Sequence, residues 1–547
     1  MSLFSLAKIP RMGDSEVDDQ ELPLLDGGVD EDALEGGAAR KELRDLRRYH
    51  HSIVIRLTTI FVAYLQSSAL AIRAKVVLPS EGHGEDTGGG SGGSKLRSIL
   101  SVAWIAVRPT ILSPRQKRKV YPTAWLDGVR GLACFMVVFY HNSLLLYPGH
   151  CDAWKKDDPH FFRLPVARLP CSGPAMVDVF LVISGYALSV RPLSLARAGD
   201  LHKLTESLSS GVFRRAIRLY TPVIFLTFTN AMLSYFELWD PAGADHVPHH
   251  STLGLTLWAW LDDLMTGLNP FTLSKFRTWD MKGLRYAIGM WTIPFEFRGS
   301  IVVFVSLLAL ARVRWILRSA LLCAGAIYSI AQGEWDIFLF LSGPICCEMH
   351  NHFDRRKSPS AEGEKTLGSR NRLLSIIEKL ALVFGLLILL AVLTMPPDLG
   401  DIQLYHIITA IDPKSWKNLP AVGSFPVCIA SVLLVFYIGQ SRFFRNLLSS
   451  SFPQYLGDNS FGIYLMHVTL INSIGRPLMR AILFAKAMMG FKAALADQIG
   501  SWLVLVTYAA IAIPVLFWIS ELVTRYVDQG SVQLAKWLEQ RCLQKDE

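Results

Sequence analysis

Ten apolar runs, bounded by polar and often basic residues, set the pattern of this chain: 128–147, 174–190, 215–236, 287–310, 316–332, 335–349, 374–395, 421–439, 459–477 and 500–522. A helix needs about 20 apolar residues to cross a bilayer, and only a helix or a closed barrel satisfies its backbone there. The pattern therefore predicts an all-α, polytopic transmembrane helical bundle of about ten spans, several of them short or interrupted. Basic residues gather at Arg115, Lys117, Arg118 and Lys119, at Arg191, Arg197, Arg214 and Arg215, and at Arg312 and Arg314. They recur at Arg355, Arg356 and Lys357, at Arg442 and Arg445, and in the tail at Arg525, Lys536 and Arg541. With ten alternating spans all of these fall on one side. The positive-inside rule makes that side the cytosol, places both termini there, and suits a multi-pass protein of the plasma membrane or an endomembrane.

Outside the runs, residues 1–50 (GDSEVDDQE, DGGVDEDALEGG) hold too little apolar material to offset the entropy of ordering, and they read as a disordered acidic extension. No cleavable signal is expected, because its basic, apolar and small-residue regions do not occur in order. Residues 51–120 read as interfacial helices and a Gly/Ser linker: 52–72 carries Arg56 and a QSS patch, 82–95 is GHGEDTGGGSGGSK, and 98–112 is amphipathic. The transmembrane domain is then 121–525, and 526–547 a cytosolic tail.

Composition narrows the class. At 51% hydrophobic and 18% charged, the chain is too apolar for a soluble protein of 547 residues. The formal charge of +9 resides mostly in the short clusters between runs, so it signals loop topology and not a nucleic-acid partner. Eight cysteines show no paired CxxC, and no metal site is expected; HVPHH at 246–250 reads as a solvated loop. Cys151 and Cys171 share the expected outer loop 148–173, where an oxidising compartment would let them pair as a disulfide; the alternative is two free thiols. The outer segment 237–286, with Trp258, Trp260, Asp262, Asp263 and Trp279, suits the membrane interface or a polar acceptor.

The chemistry starts inside the first run, LDGVRGLACFMVVFYHNSLLLY at 126–147. Arg130 and His141 stand eleven residues apart, which returns almost to the same helical face about 16 Å along the axis. A cation and an imidazole are costly in hydrocarbon, so both are expected to line one interior cavity, the active site.

LDGVRGLACFMVVFYH resembles the opening signature of the membrane-bound acyltransferase family 3, a basic residue and a histidine separated by ten residues. VDVFLVISGY at 177–186 resembles the family's second-helix signature, and RRAIRLYTP at 214–222 its Arg-x-x-Arg element, matched by Arg215 and Arg218. MWTIPFE at 290–296 is similar to its Trp-Ser/Thr-Leu-x-x-Glu element, with Ile293 in place of leucine, and NSFGIYLMH at 459–467 to its late Ser-x-x-(Ile/Leu)-Tyr-Leu-x-His segment. Five elements in the family's order span residues 121 to about 525; the first 120 residues lie outside the resemblance.

The resemblance implies an O-acyltransferase that moves an acyl group, acetyl above all, from cytosolic acyl-CoA to a hydroxyl of a glycan, lipid or small metabolite. Acyl-CoA is then a co-substrate, and no tightly bound cofactor is expected. His141 is the candidate general base; the alternative is a core histidine satisfied by one hydrogen bond. Arg130 either pairs with Asp127 or binds donor phosphate or the thioester carbonyl. Glu296 follows Pro294, which is expected to bend its helix; the carboxylate would orient or charge-stabilise His141, against a simple ion pair with Arg298. Arg215 and Arg218 share a helix face, as topology anchors or as donor-phosphate ligands. Asp178 contacts the acceptor or caps its helix, Trp291 and His467 are acceptor or structural positions, and Ser184 and Gly185 permit close helix packing. A secondary transporter is the rival from another class, although no internal repeat supports it.

Overall fold

Helix boundaries in this chain follow its capping residues. The computed structural model describes residues 121–146, 151–240, 247–267, 269, 285–286, 288–356, 370–416, 424–489 and 498–543, and every regular element among them is a helix. The expected extension and linker at 1–120 lie outside the described residues, as do His246 and Trp279. In chain order the helices are α1 (Ala124–Leu146), α2 (Gly173–Ala198), α3 (Leu201–Tyr235), α4 (Leu253–Gly267), α5 (Thr292–Ala309), α6 (Trp315–Gln332), α7 (Trp335–Arg356) and α8 (Arg370–Leu393). They continue with α9 (Gln403–Thr409), α10 (Phe425–Gln440), α11 (Arg442–Leu448), α12 (Ser451–Leu470), α13 (Arg476–Met488), α14 (Gln498–Val523) and α15 (Gln529–Cys542). Five-residue π turns at Ile471–Gly475 and Thr524–Asp528 link α12 to α13 and α14 to α15.

The α2–α3 hairpin shows how the sequence sets such a boundary. Gly199 adopts φ 75°, the left-handed conformation that closes a helix, and Asp200 then caps α3 by accepting from the Lys203 backbone amide at 3.1 Å. Among the described residues five helical segments are long and apolar enough to cross a membrane: α2, α3, α5, α6 and the α14–α15 rod from Leu503. A sixth counts if α10 and α11, which meet at 95°, are one broken span. The other expected runs are helical as well, but α7, for one, carries Asp336, Glu348, Asp354, Arg355 and Arg356.

The loops meet at two ends of the bundle. At one end, Arg197 in the last turn of α2 and Arg318 of α6 share Glu348 of α7, Arg445 of α11 pairs with Asp354 at 3.1 Å, and Arg214 of α3 pairs with Glu539 of α15 at 3.3 Å. At the other, Arg168 donates to the carbonyls of Cys151 and of Thr394, at 3.1 Å for the latter. Asp240 pairs with Arg480, and Trp416 donates to the Ile330 carbonyl at 2.6 Å. Cys151 and Cys171 are joined by a disulfide with Cα atoms 5.3 Å apart, closing the loop that Arg168 anchors. For a closed loop of this size a cross-link contributes about 3 kcal/mol. Cys171→Ser is therefore expected to lower the midpoint of thermal unfolding measurably under non-reducing conditions, and to leave the reduced protein's midpoint unchanged.

Two helix crossings depend on the absence of side chains. A Cβ on Gly131 would strike the backbone of Leu456 and Gly457, and one on Gly457 the carbonyl of Asp127, so α1 and α12 touch backbone to backbone. Gly185 of α2 and Gly343 of α7 make the equivalent contact. Because the obstacle is main chain and cannot swing away, Gly457→Ala is expected to cost about 1–3 kcal/mol through overpacking. Loss of monodisperse protein on size exclusion, relative to Gly530→Ala at an open position, would report it.

Candidate active site

The α1–α12 crossing brings two polar helix faces together and leaves room beside them. A cavity of about 480 Å³ lies between α1, α2, α3, α5 and α12, with Asp528 of the second π turn at its edge. Arg130 is held from two sides: it pairs with Asp127 at 2.9 Å, donates Nε–H to Ser460 Oγ at 3.0 Å, and donates to the Gly457 carbonyl at 3.0 Å. Glycine at 457 is what lets α1 come near enough for that last bond. Arg215 and Arg218, one turn apart on α3, project into the same space. Arg215 pairs with Glu296 of α5 at 3.3 Å, with side chains only 16% and 21% exposed. Arg218 is exposed and makes no hydrogen bond or ion pair with a described residue.

Thr292, one turn before Glu296, closes the wall. Its hydroxyl lies 2.7 Å from Tyr464 Oη, and that phenol donates its own proton to the Gly289 carbonyl at 2.6 Å, so Thr292 donates and Tyr464 accepts. Behind Tyr464 stand two imidazoles. The His467 ring centre is 5.7 Å from that of Tyr464 and 5.0 Å from that of His141. His467 Nδ1 lies 2.6 Å from the Tyr464 carbonyl, which can only accept, so Nδ1 carries a proton, and the buried Nε2 has no hydrogen-bond partner among the described residues.

The cavity lining includes Arg130 but not His141. Cys134 and Val138, on the same face of α1 between them, are 0% and 2% exposed against α12, and Cys134 bonds the Ser460 carbonyl. The single cavity expected for Arg130 and His141 is thus divided, with the imidazole pair behind the tyrosine and not in the open space.

Residues 123–521 match an acyltransferase domain, Acyl_transf_3. This chain belongs to that acyltransferase family. Among its relatives is an O-acetyltransferase, PaAT-1, of Phomopsis amygdali, 30% identical over 79% of this chain and 88% of that protein. Acyltransferase clz18 of Cochliobolus lunatus is 24% identical over 65% of this chain and 84% of its own, and acyltransferase R4 of a Phoma species 23% over 64% and 83%. No solved structure matches.

Other expected residues of this acyltransferase fall elsewhere. Asp178 does not cap α2, whose N-cap is Ser172; it is fully buried nearly two turns further in, beside Cys428 Sγ at 3.6 Å, and outside the cavity lining. Trp291 packs with Phe295 and Trp335, with ring centres 5.9 and 6.5 Å away. Pro294 bends nothing, because α5 begins at Thr292 and the missing amide falls in a first turn that has no intrahelical partner to lose. Arg298 does not compete for Glu296: it pairs with Glu334, and with Asp336 at 3.5 Å. Ser184 lines the cavity, while Gly185 packs on the Phe340 backbone. Among the described residues no group of three His, Cys, Asp or Glu could hold a metal.

Four cavity residues were given no role from the sequence: Ser460, Tyr464 and Thr292, which lie inside the quoted motifs, and Asp528. A signal existed for the first two. Gly457, Ser460, Tyr464 and His467 recur at steps of three, four and three, one continuous stripe of α12. Asp528 gave none, since the tail was read as lying beyond the domain.

Proposed function

We propose that this acyltransferase is an integral-membrane O-acyltransferase, with acetyl its expected cargo, that takes the acyl group from cytosolic acyl-CoA and places it on a hydroxyl. The observation that carries this reading is the arginine-lined cavity ending at Thr292 and Tyr464 with two imidazoles immediately behind them. A phosphate-rich donor suits Arg130, Arg215 and above all Arg218, which makes no hydrogen bond or ion pair with a described residue. The relative named as an O-acetyltransferase supports both the acetyl group and the oxygen acceptor.

The chemistry is one displacement. The acceptor oxygen attacks the thioester carbonyl as His141 removes its proton; the C–O bond forms, the C–S bond breaks, and CoA leaves as its thiolate. Glu296 acts through Arg215, its described partner, and holds that guanidinium in the cavity. Ten alternating crossings with cytosolic termini fit the loop contacts. Each pairing described above joins loops of one parity: Arg197 with Arg318 and Arg445 with Asp354 on the basic side, Arg168 with Thr394 and Asp240 with Arg480 on the other. The donor then enters at the basic end, and the hydroxyl reaches the imidazoles from the opposite end.

Purified full-length protein given acyl-labelled acetyl-CoA and a small-metabolite and lipid extract of the cells that express it tests the reading. Ester-linked label with equimolar CoA release supports it. Substrate flux into proteoliposomes without CoA release would establish the transporter instead.

A further inference from the structure

At the basic end of the bundle lies a second cavity, of about 500 Å³, that shares no lining residue with the acyl site. Its floor is a charge imbalance. Glu348 is 2% exposed and accepts from Arg318 Nε at 2.8 Å and from Arg197 at 2.7 Å, so two guanidinium groups share one carboxylate. Among the described residues no other acid lines the space. On the rim, Arg312 and Arg314 are exposed and make no hydrogen bond or ion pair with a described residue. Four arginines against one glutamate leave excess positive charge in a partly desolvated pocket, where an anion is bound more strongly than at an open surface.

The surroundings of the rim select the kind of anion. Trp315 stacks on His352 with ring centres 4.5 Å apart and is 40% exposed. Directly after it, Ile316 and Leu317 are 65% and 56% exposed, and they begin the outward apolar face of α6, one of the helices apolar enough to cross a membrane. A tryptophan at the water boundary, arginines just outside it and bare aliphatic side chains just inside match the three zones of a phospholipid. A soluble anion would use only the arginines.

We propose that this cavity binds the phosphate-bearing headgroup of an anionic phospholipid from the cytosolic leaflet, with the lipid's acyl chains lying along Ile316 and Leu317. The site is independent of the acyl-transfer reading. Arg312 and Arg314 meet the phosphate, while the Glu348 triad holds Arg197 and Arg318 in place beneath it.

Native mass spectrometry of the detergent-purified full chain, titrated with phosphatidylcholine, phosphatidylinositol 4-phosphate, free inositol 1,4-bisphosphate and acetyl-CoA, tests this. The anionic lipid is expected to bind with defined stoichiometry. R312Q/R314Q is expected to weaken it by roughly thirtyfold, with phosphatidylcholine binding and thermal midpoint unchanged. Each single substitution is expected to weaken it by about fivefold, which keeps the test open if the double variant does not fold. The free headgroup and acetyl-CoA should compete only at much higher concentration than the lipid. Wild-type affinity of R312Q and R314Q for the anionic lipid would overturn the site, and equal competition by the free headgroup or acetyl-CoA would overturn its assignment to a lipid.

Discussion

His141→Ala is expected to lower acyl transfer by about 10²–10⁴-fold, the range for loss of a positioned general base, while the KM for acetyl-CoA stays near that of the parent. The separation follows from the geometry. The arginines proposed to bind the donor line the open cavity, whereas His141 is itself no part of that lining, with its ring 5.0 Å from that of His467. His141→Gln, which keeps a hydrogen-bonding side chain, should be as inactive as alanine if proton removal is its role, and should recover activity if its role is packing. Initial rates against acetyl-CoA concentration, with circular dichroism to verify the fold, decide between them.

Arg218→Ala is expected to raise the KM for acetyl-CoA by about 10- to 150-fold with kcat nearly unchanged, because a charge-assisted phosphate contact contributes about 1.5–3 kcal/mol of uniform binding. Arg218 has no ion pair or hydrogen bond among the described residues, so its removal breaks no direct contact, although it weakens the positive field on the half-buried Asp528 at the cavity edge. Arg215 behaves differently. Its loss leaves Glu296, 21% exposed, without its ion-pair partner, and Arg215→Ala should lower thermal stability as well as donor affinity. Arg218→Lys keeps the charge but loses the planar fork, so a KM between those of the parent and the alanine variant is expected. The dependence of KM on ionic strength should flatten in Arg218→Ala relative to the parent.

Much of the frame could be read from periodicity, because length and apolarity dictate where a membrane helix can form. The cavity residues Arg130, Arg215, Arg218 and Glu296 were legible for a related reason: charges inside apolar runs are costly, and four from three helices have somewhere to meet. What escaped was depth. A helical wheel states that Arg130 and His141 share an azimuth; it does not state that Cys134 and Val138 between them are packed against α12. Pro294 was misread because the start of α5 is set by the turn Ile288–Met290, which no periodicity marks. The tail concealed Asp528, because α15 docks along α3 through Arg214 and Glu539 only once both helices exist. The α1–α12 crossing was hidden in single glycines whose partner lies some 330 positions away.

Sidedness in sealed vesicles tests the central claim most directly, since acetyl-CoA is too highly charged to cross a bilayer unaided. With the full chain reconstituted and its orientation fixed by cleavage at a protease site introduced into residues 357–369, labelled acetyl-CoA is supplied to one face at a time. The account expects esterified label only when the donor meets the face that carries Arg197, Arg312 and Arg445. Equal transfer from the opposite face, or transfer only from there, would contradict it.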